Sequence, residues 1–257
     1  MISLRERESA EKAQSALNAS QKNRELLITD EVVNRYLAPP ENTIYPYEYA
    51  FHLLGDAAQK TVLEYGCGDG VNTVVLSRRG ANVIALDISS ELLAMAKQRI
   101  IKNQCNATTL VLGSAHALPF SDESIDIIFG ISILHHLDLK MASGEVHRVL
   151  KKGGRAIFLE PLRNSRLLSQ LRRLLPKRTQ VSPFERPLTD QEITEFSAPC
   201  EYRARTFQLP LSRLATFIPI LRSPTMKMCN YIDALLLRLF PSLTFYGSIK
   251  VFQIDKH

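Results

Sequence analysis

The sequence predicts a doubly wound α/β architecture: a seven-stranded, mostly parallel sheet with helices on both faces and helical insertions forming a cap. Three observations lead there. Short β-branched runs alternate with helix-length segments, the rhythm of a parallel sheet covered on both sides. The first run enters a turn with three glycines in five residues, Gly66, Gly68 and Gly70, and that turn opens a helix. Of the 257 residues, 45% are hydrophobic and 23% charged, a globular balance at a length suited to one domain with an elaborated cap.

The elements follow in order. Residues 4–27 are polar and helix-prone and read as an arm or lid helix, within an N-terminal unit covering residues 1–55. Pro39-Pro40 breaks any helix there, and a tyrosine-rich run follows from Tyr45 to Tyr49. Thr61–Tyr65 is the first strand, Val71–Arg79 a helix and Asn82–Asp87 the second strand. Ser89 is placed to cap a helix over Ser90–Lys102, because its hydroxyl can accept an unpaired backbone N–H. Thr108–Leu112, Ile125–Phe129 and Arg155–Glu160 are strands three to five, and the helix over about Lys140–Leu150 stops at Gly153-Gly154. This core spans residues 56–161.

Residues 162–199 form a basic cap segment and a crossover helix, which Thr189 and Glu192 open as a capping box. In residues 200–257, Tyr202–Gln208 and Ser248–Asp255 are the last two strands, with a helical insertion over about 210–241 between them. Ligands of open α/β sheets bind outside the carboxyl ends of the strands. With strand six parallel to the others, both insertions would roof a pocket on that edge.

Composition excludes several classes. Residues 1–23 carry charge and no apolar core, so a secretory signal is not expected. No run reaches about 18 uninterrupted apolar residues, so no transmembrane helix is expected. Cys67, Cys105, Cys200 and Cys229 form no C-x-x-C pair, which argues against a zinc ribbon or disulfide scaffold and fits reduced thiols in the cytoplasm. Residues 161–257 hold 15 Lys+Arg against 7 Asp+Glu, whereas the first 160 residues hold 17 against 19. A near-neutral body with a basic C-terminal part favours a local surface for an acidic ligand or an anionic membrane over coating by nucleic acid. The segment 163–178 combines six basic residues, no acid and leucines at helical spacing, so it could lie on an anionic bilayer.

The turn Glu64-Tyr65-Gly66-Cys67-Gly68-Asp69-Gly70 carries the chemistry. Residues without Cβ let a ligand approach the backbone, and the following helix offers unpaired N–H groups and a positive dipole end. A dinucleotide fingerprint would place Gly or Ala at residue 71, where Val71 stands. Asp87 ends the second strand, where a carboxylate can accept hydrogen bonds from two ribose hydroxyls.

The segments VLEYGCGDG (62–70), VIALDIS (83–89), GSAHALPFSDESIDIIFG (113–130), ILHHL (133–137) and LKKGGRAIFLEP (150–161) together resemble the successive motifs of class I S-adenosylmethionine-dependent methyltransferases, a Rossmann-like fold, and most of all the small-molecule branch that includes quinone-biosynthesis enzymes. The resemblance implies S-adenosyl-L-methionine as cofactor, S-adenosyl-L-homocysteine as product, and roles for individual residues. Glu64 would stand near the methionine amino group, and Gly66, Gly68 and Gly70 would shape the turn beneath the cofactor. Asp87 would hold the ribose diol, Ile88 would pack on adenine and the Ala115 N–H would reach its ring. Ser114 departs from the aspartate common in relatives and would accept the adenine amino group with a hydroxyl instead.

Methyl transfer from a sulfonium is an in-line substitution in which the protein chiefly aligns the partners. His135 follows the fourth strand and has the intrinsic pKa of a general base. Glu160, ending strand five, is expected at the pocket edge, orienting a substrate group or fixing the adjoining loop. His136 reads as a packed, hydrogen-bonded histidine, and no metal-ligand set is visible. The apolar residues of the second insertion point to a small hydrophobic or amphipathic acceptor. The alternatives are a nucleic-acid or protein methyltransferase, or a non-catalytic binding protein on the same fold. An amino-methylating DNA enzyme would show Asp/Asn-Pro-Pro-Tyr/Phe where Gly130-Ile131-Ser132-Ile133 stands.

Overall fold

A computed structural model describes residues 3–21, 25–165, 186–210 and 224–257. The first half runs α1 (Leu4–Gln21), α2 (Asp30–Leu37), α3 (Pro46–Leu54), β1 (Thr61–Tyr65), α4 (Val71–Arg78), β2 (Asn82–Asp87), α5 (Ser90–Lys102) and β3 (Thr108–Leu112). Then come β4 (Ile125–Ile131), a 3-10 turn (Leu134–His136), α6 (Leu139–Val149), β5 (Leu150–Pro161), α7 (Asp190–Ser197), β6 (Tyr202–Phe207), α8 (Pro224–Leu239), a second 3-10 turn (Pro241–Tyr246) and β7 (Ile249–Asp255).

The strands form one sheet in the order β3-β2-β1-β4-β5-β7-β6. β1 to β5 pair in parallel, and β7 is antiparallel to both β5 and β6, so β6 runs with the first five. Successive strands step one way from β1 to β3 and the other way from β4 onward. The crevice between β1 and β4 is therefore the point where such a sheet receives its ligand.

Alternate residues of each strand feed opposite faces. On one face Leu63, Tyr65, Ile128, Phe158 and Phe252 pack with Val146 of α6 and Phe196 of α7. On the other, Val62, Phe129, Ile157 and Val251 pack with Phe51 of α3 and Val75 of α4. Truncating a fully buried ring such as Phe158 to alanine costs about 3–5 kcal/mol.

Local expectations hold at the caps. Leu92 N donates to Ser89 Oγ at 3.2 Å, and the capping box of Thr189 with Glu192 is formed. Three differences have physical causes. The tyrosine-rich run, to which the sequence assigned no element, opens α3, with Pro46 at its start, where its missing N–H and fixed φ are favourable. The helix before strand five ends at Val149 rather than at the glycine pair, and β5 already begins at Leu150. A Cβ on Gly154 would lie 2.8 Å from Lys151 O and 2.9 Å from Asp126 O, so that glycine serves a close approach to β4 beside a register shift.

The third difference concerns the cap. Of the insertion over 210–241, residues 211–223 lie outside the described residues, and α8 packs on β6 at the far end of the sheet; among the described residues α1 lines the pocket at the crevice. Most of the basic segment 163–178 lies outside the described residues. No helix among the described residues is long and apolar enough to cross a membrane.

Candidate active site

β1 is buried over most of its length and delivers its end into the glycine turn at the crevice. Gly66 and Gly68 both have positive φ, 81° and 54°. A Cβ on Gly66 would lie 2.7 Å from Ile133 Cδ1, so this glycine lets the loop after β4 close against the turn. A Cβ on Gly68 would meet nothing within 4 Å, which leaves its backbone facing open space. Gly70, the N-cap of α4, packs against Ala96 of α5 instead.

Asp87 ties this turn to the end of β2. Its Oδ2 accepts from Gly68 N at 2.8 Å and its Oδ1 from Ser89 N at 2.9 Å. The carboxylate lies on the cavity wall beside Gly68, and a carboxylate oxygen can accept more than one hydrogen bond. Arg99 of α5, almost fully buried, reaches Asp69 Oδ2 at 3.3 Å and pins the turn from behind.

A cavity of about 290 Å³ occupies the crevice. Gly66, Gly68, Asp87, Ile88 and Ala115 are on its wall, together with Ser132, His136 and residues of α1. Glu64, Gly70, Ser114, His135 and Glu160 are not on that wall.

Glu64, 2% exposed, accepts from Thr73 Oγ1 on Oε2, whereas its Oε1 is buried without a hydrogen-bond partner among the described residues. Burial pushes its carboxyl up to about 8, against the opposing effect of the Thr73 hydrogen bond. Cys67 beside it is buried, and burial pushes its thiol well above the ordinary range, which makes it an inert filler.

Glu160 is fully buried and turns inward rather than to the pocket edge. Its Oε1 accepts from Ile133 N at 2.9 Å and Leu134 N at 2.8 Å, and its Oε2 accepts from His135 Nδ1 at 2.7 Å. The carboxylate thus fixes the loop after β4 and the orientation of the His135 ring.

α1 contributes residues that sequence reasoning missed. Ser114 Oγ donates to Glu8 Oε1, and His116 Nδ1 lies 3.2 Å from the same oxygen. His116 Nε2 accepts from Asp138 N at 2.9 Å, tying the loop after β3 to the start of α6. His136 Nδ1 lies 2.9 Å from Glu11 Oε2. Arg7, Glu8, Glu11, Gln14 and Ser15 form a one-sided stripe of α1 on the cavity wall, which the sequence does not mark because the other faces of the helix are polar as well. No group of three His, Cys, Asp or Glu side chains among the described residues could hold a metal ion.

A glycine backbone open to the cavity, the Asp87 carboxylate on the same wall and a buried acid with one oxygen unpartnered among the described residues fit a nucleoside carrying an ammonium group. Residues 63–158 match the family model described as a methyltransferase domain. This part of the chain is similar to class I S-adenosylmethionine-dependent methyltransferases.

Among its relatives is the malonyl-[acyl-carrier protein] O-methyltransferase of Hamiltonella defensa subsp. Acyrthosiphon pisum, 31% identical over 156 residues, which cover 59% of this chain and 58% of that protein. Another is the demethylmenaquinone methyltransferase of Thermobifida fusca, 36% identical over 102 residues, 38% of this chain and 42% of the relative. The chain thus matches little more than half the length of such relatives at most. Geranyl diphosphate C-methyltransferase from Streptomyces coelicolor A3(2), solved with Mg2+, geranyl diphosphate and S-adenosyl-L-homocysteine, superposes with a TM-score of 0.62 at 16% identity, covering 96% of this chain and 98% of that one, and shows the shared fold.

Proposed function

We propose that the protein transfers the methyl group of S-adenosylmethionine to a small hydrophobic or amphipathic acceptor by in-line substitution. The observation that carries this is Asp87 tying the ends of β1 and β2 together on the cavity wall that it shares with the open side of Gly68. When bound, the cofactor supplies a methyl carbon made electrophilic by its sulfonium. In this reading Asp87 holds the ribose hydroxyls, Ile88 packs on adenine and the Ala115 backbone borders the ring, while the Ser114 hydroxyl, off the wall, holds Glu8 of α1. Glu64 holds the methionine ammonium, which its buried, unpartnered Oε1 supports. Relatives named for demethylmenaquinone and for 2-methoxy-6-polyprenyl-1,4-benzoquinol support an apolar acceptor. Free thiols at all four cysteines support a reducing, cytoplasmic setting.

In this proposal His135, packed against the wall residue His136 with ring centroids 4.2 Å apart, acts as the general base, and Glu160 is a positioning residue at its Nδ1. Calorimetry tests the core reading: S-adenosylmethionine and S-adenosylhomocysteine bind and NAD does not. A folded protein with no affinity for either sulfur nucleoside overturns it. With an acceptor in hand, His135→Ala lowers kcat by about 100-fold or more at unchanged cofactor affinity. Turnover within about twofold of wild type excludes the base role.

A further inference from the structure

We infer that the outward face of α8 is a docking surface for an anionic lipid bilayer. The helix is turned inside out for one that meets only water. Its inward face carries Cys229, Asn230 and Asp233, all buried, and Asp233 Oδ2 accepts from Leu209 N at 2.9 Å. Its outward face carries Met228, Tyr231, Ile232, Leu235 and Leu239, between 39% and 59% exposed. At roughly 100° per residue these five fall within an arc of about 100°, a single apolar stripe. The following turn adds Phe240, Phe245 and Tyr246, also exposed. Isolated exposed leucines are ordinary, but a contiguous run of this kind marks an interaction surface.

Charge selects the occupant. Between Tyr202 and Ile254 the sequence holds one acid, Asp233, which is 2% exposed. Lys227 and Arg238 are exposed and flank the same side of the stripe. A second copy seated face to face would bring these cations toward their own equivalents. An anionic headgroup layer would neutralise them while the stripe enters the acyl boundary, and tyrosine and phenylalanine suit that depth. At 16 residues the helix lies along the surface rather than through it. This inference is independent of the proposed chemistry, because its readout involves no methyl transfer.

The test uses the full chain with phosphatidylcholine vesicles, with and without phosphatidylserine, at low salt. The protein is expected to sediment with the phosphatidylserine vesicles and to be released as salt rises. Leu235→Glu combined with Leu239→Glu should weaken partition by about tenfold or more, with melting temperature and S-adenosylmethionine affinity unchanged. The sequence has no tryptophan, so Leu235→Trp gives a single reporter whose emission should shift to the blue on vesicle addition. No sedimentation of wild type with anionic vesicles, equal binding by the double variant, or an unshifted Trp emission overturns the inference. So does a wild-type dimer that the double variant converts to monomer, which would assign the stripe to a second copy.

Discussion

Two buried glutamates end strands of the same sheet and live in opposite electrostatic circumstances. At the end of β5, Glu160 has both oxygens engaged, by two backbone N–H groups and by His135. Near the end of β1, Glu64 has one oxygen engaged by Thr73 and the other without a hydrogen-bond partner among the described residues. Burial alone does not separate them, since both are almost completely enclosed. The difference lies in completeness: a satisfied carboxylate is scaffold, whereas a half-satisfied one retains capacity for a cation that the chain does not supply.

Replacing Glu160 by alanine should break the comparison most severely. It leaves two backbone donors and a histidine without their acceptor inside the core, at a cost of about 3–5 kcal/mol. Chemical denaturation should show that loss. Glu160→Gln, which keeps one acceptor oxygen, should recover part of it. A loss below about 1 kcal/mol for the alanine variant would remove Glu160 from the scaffold role.

Glu64→Gln should give a smaller effect of unusual sign. The folded protein holds this carboxyl near 8, above its ordinary 4.5, so the fold favours the protonated form. Its contribution is then fully present at low pH and is lost as pH rises through about 8. An amide does not titrate, so the variant should lack this pH-dependent loss and melt progressively higher than wild type between about pH 5 and 8. Its S-adenosylmethionine affinity should fall by about tenfold, because a charged partner is lost. Calorimetry in buffers of differing ionisation enthalpy should also show proton release on binding to wild type and none in the variant. A variant with wild-type affinity would end the assignment of Glu64 to the ammonium.

The smallest effect concerns the roof. Glu8→Ala removes the acceptor of Ser114 and the partner of His116, which should raise the cofactor dissociation rate by about twofold to fivefold with little change in stability. Stopped-flow release of S-adenosylhomocysteine would measure it.

The parallel core was legible because central strands enclosed on both faces must read as apolar runs, and because a strand-to-helix turn under a ligand needs glycine. Asp87 was legible for the same reason, as an acid where an apolar strand ends. Residues 4–27 were legible as an arm or lid helix, but their contacts were not: α1 is polar around much of its circumference, so its sequence does not say which face Glu8 and Glu11 present to the crevice. The inward turn of Glu160 was equally hidden, because its acceptors are filled by the backbone of Ile133 and Leu134, groups that every residue carries. The beginning of β5 was obscured by a glycine pair that serves packing rather than termination.

The sheet order has a consequence for biosynthesis. β7 lies between β5 and β6, so β6 has no neighbour to join until everything up to Ile249–Asp255 has been made. On the ribosome, β6 therefore emerges early and waits unpaired while residues 208–248 follow it out of the exit tunnel. The nascent chain completes its sheet by wedging its latest strand into the middle of an existing gap, a step at which chaperone protection of a bare strand edge matters most.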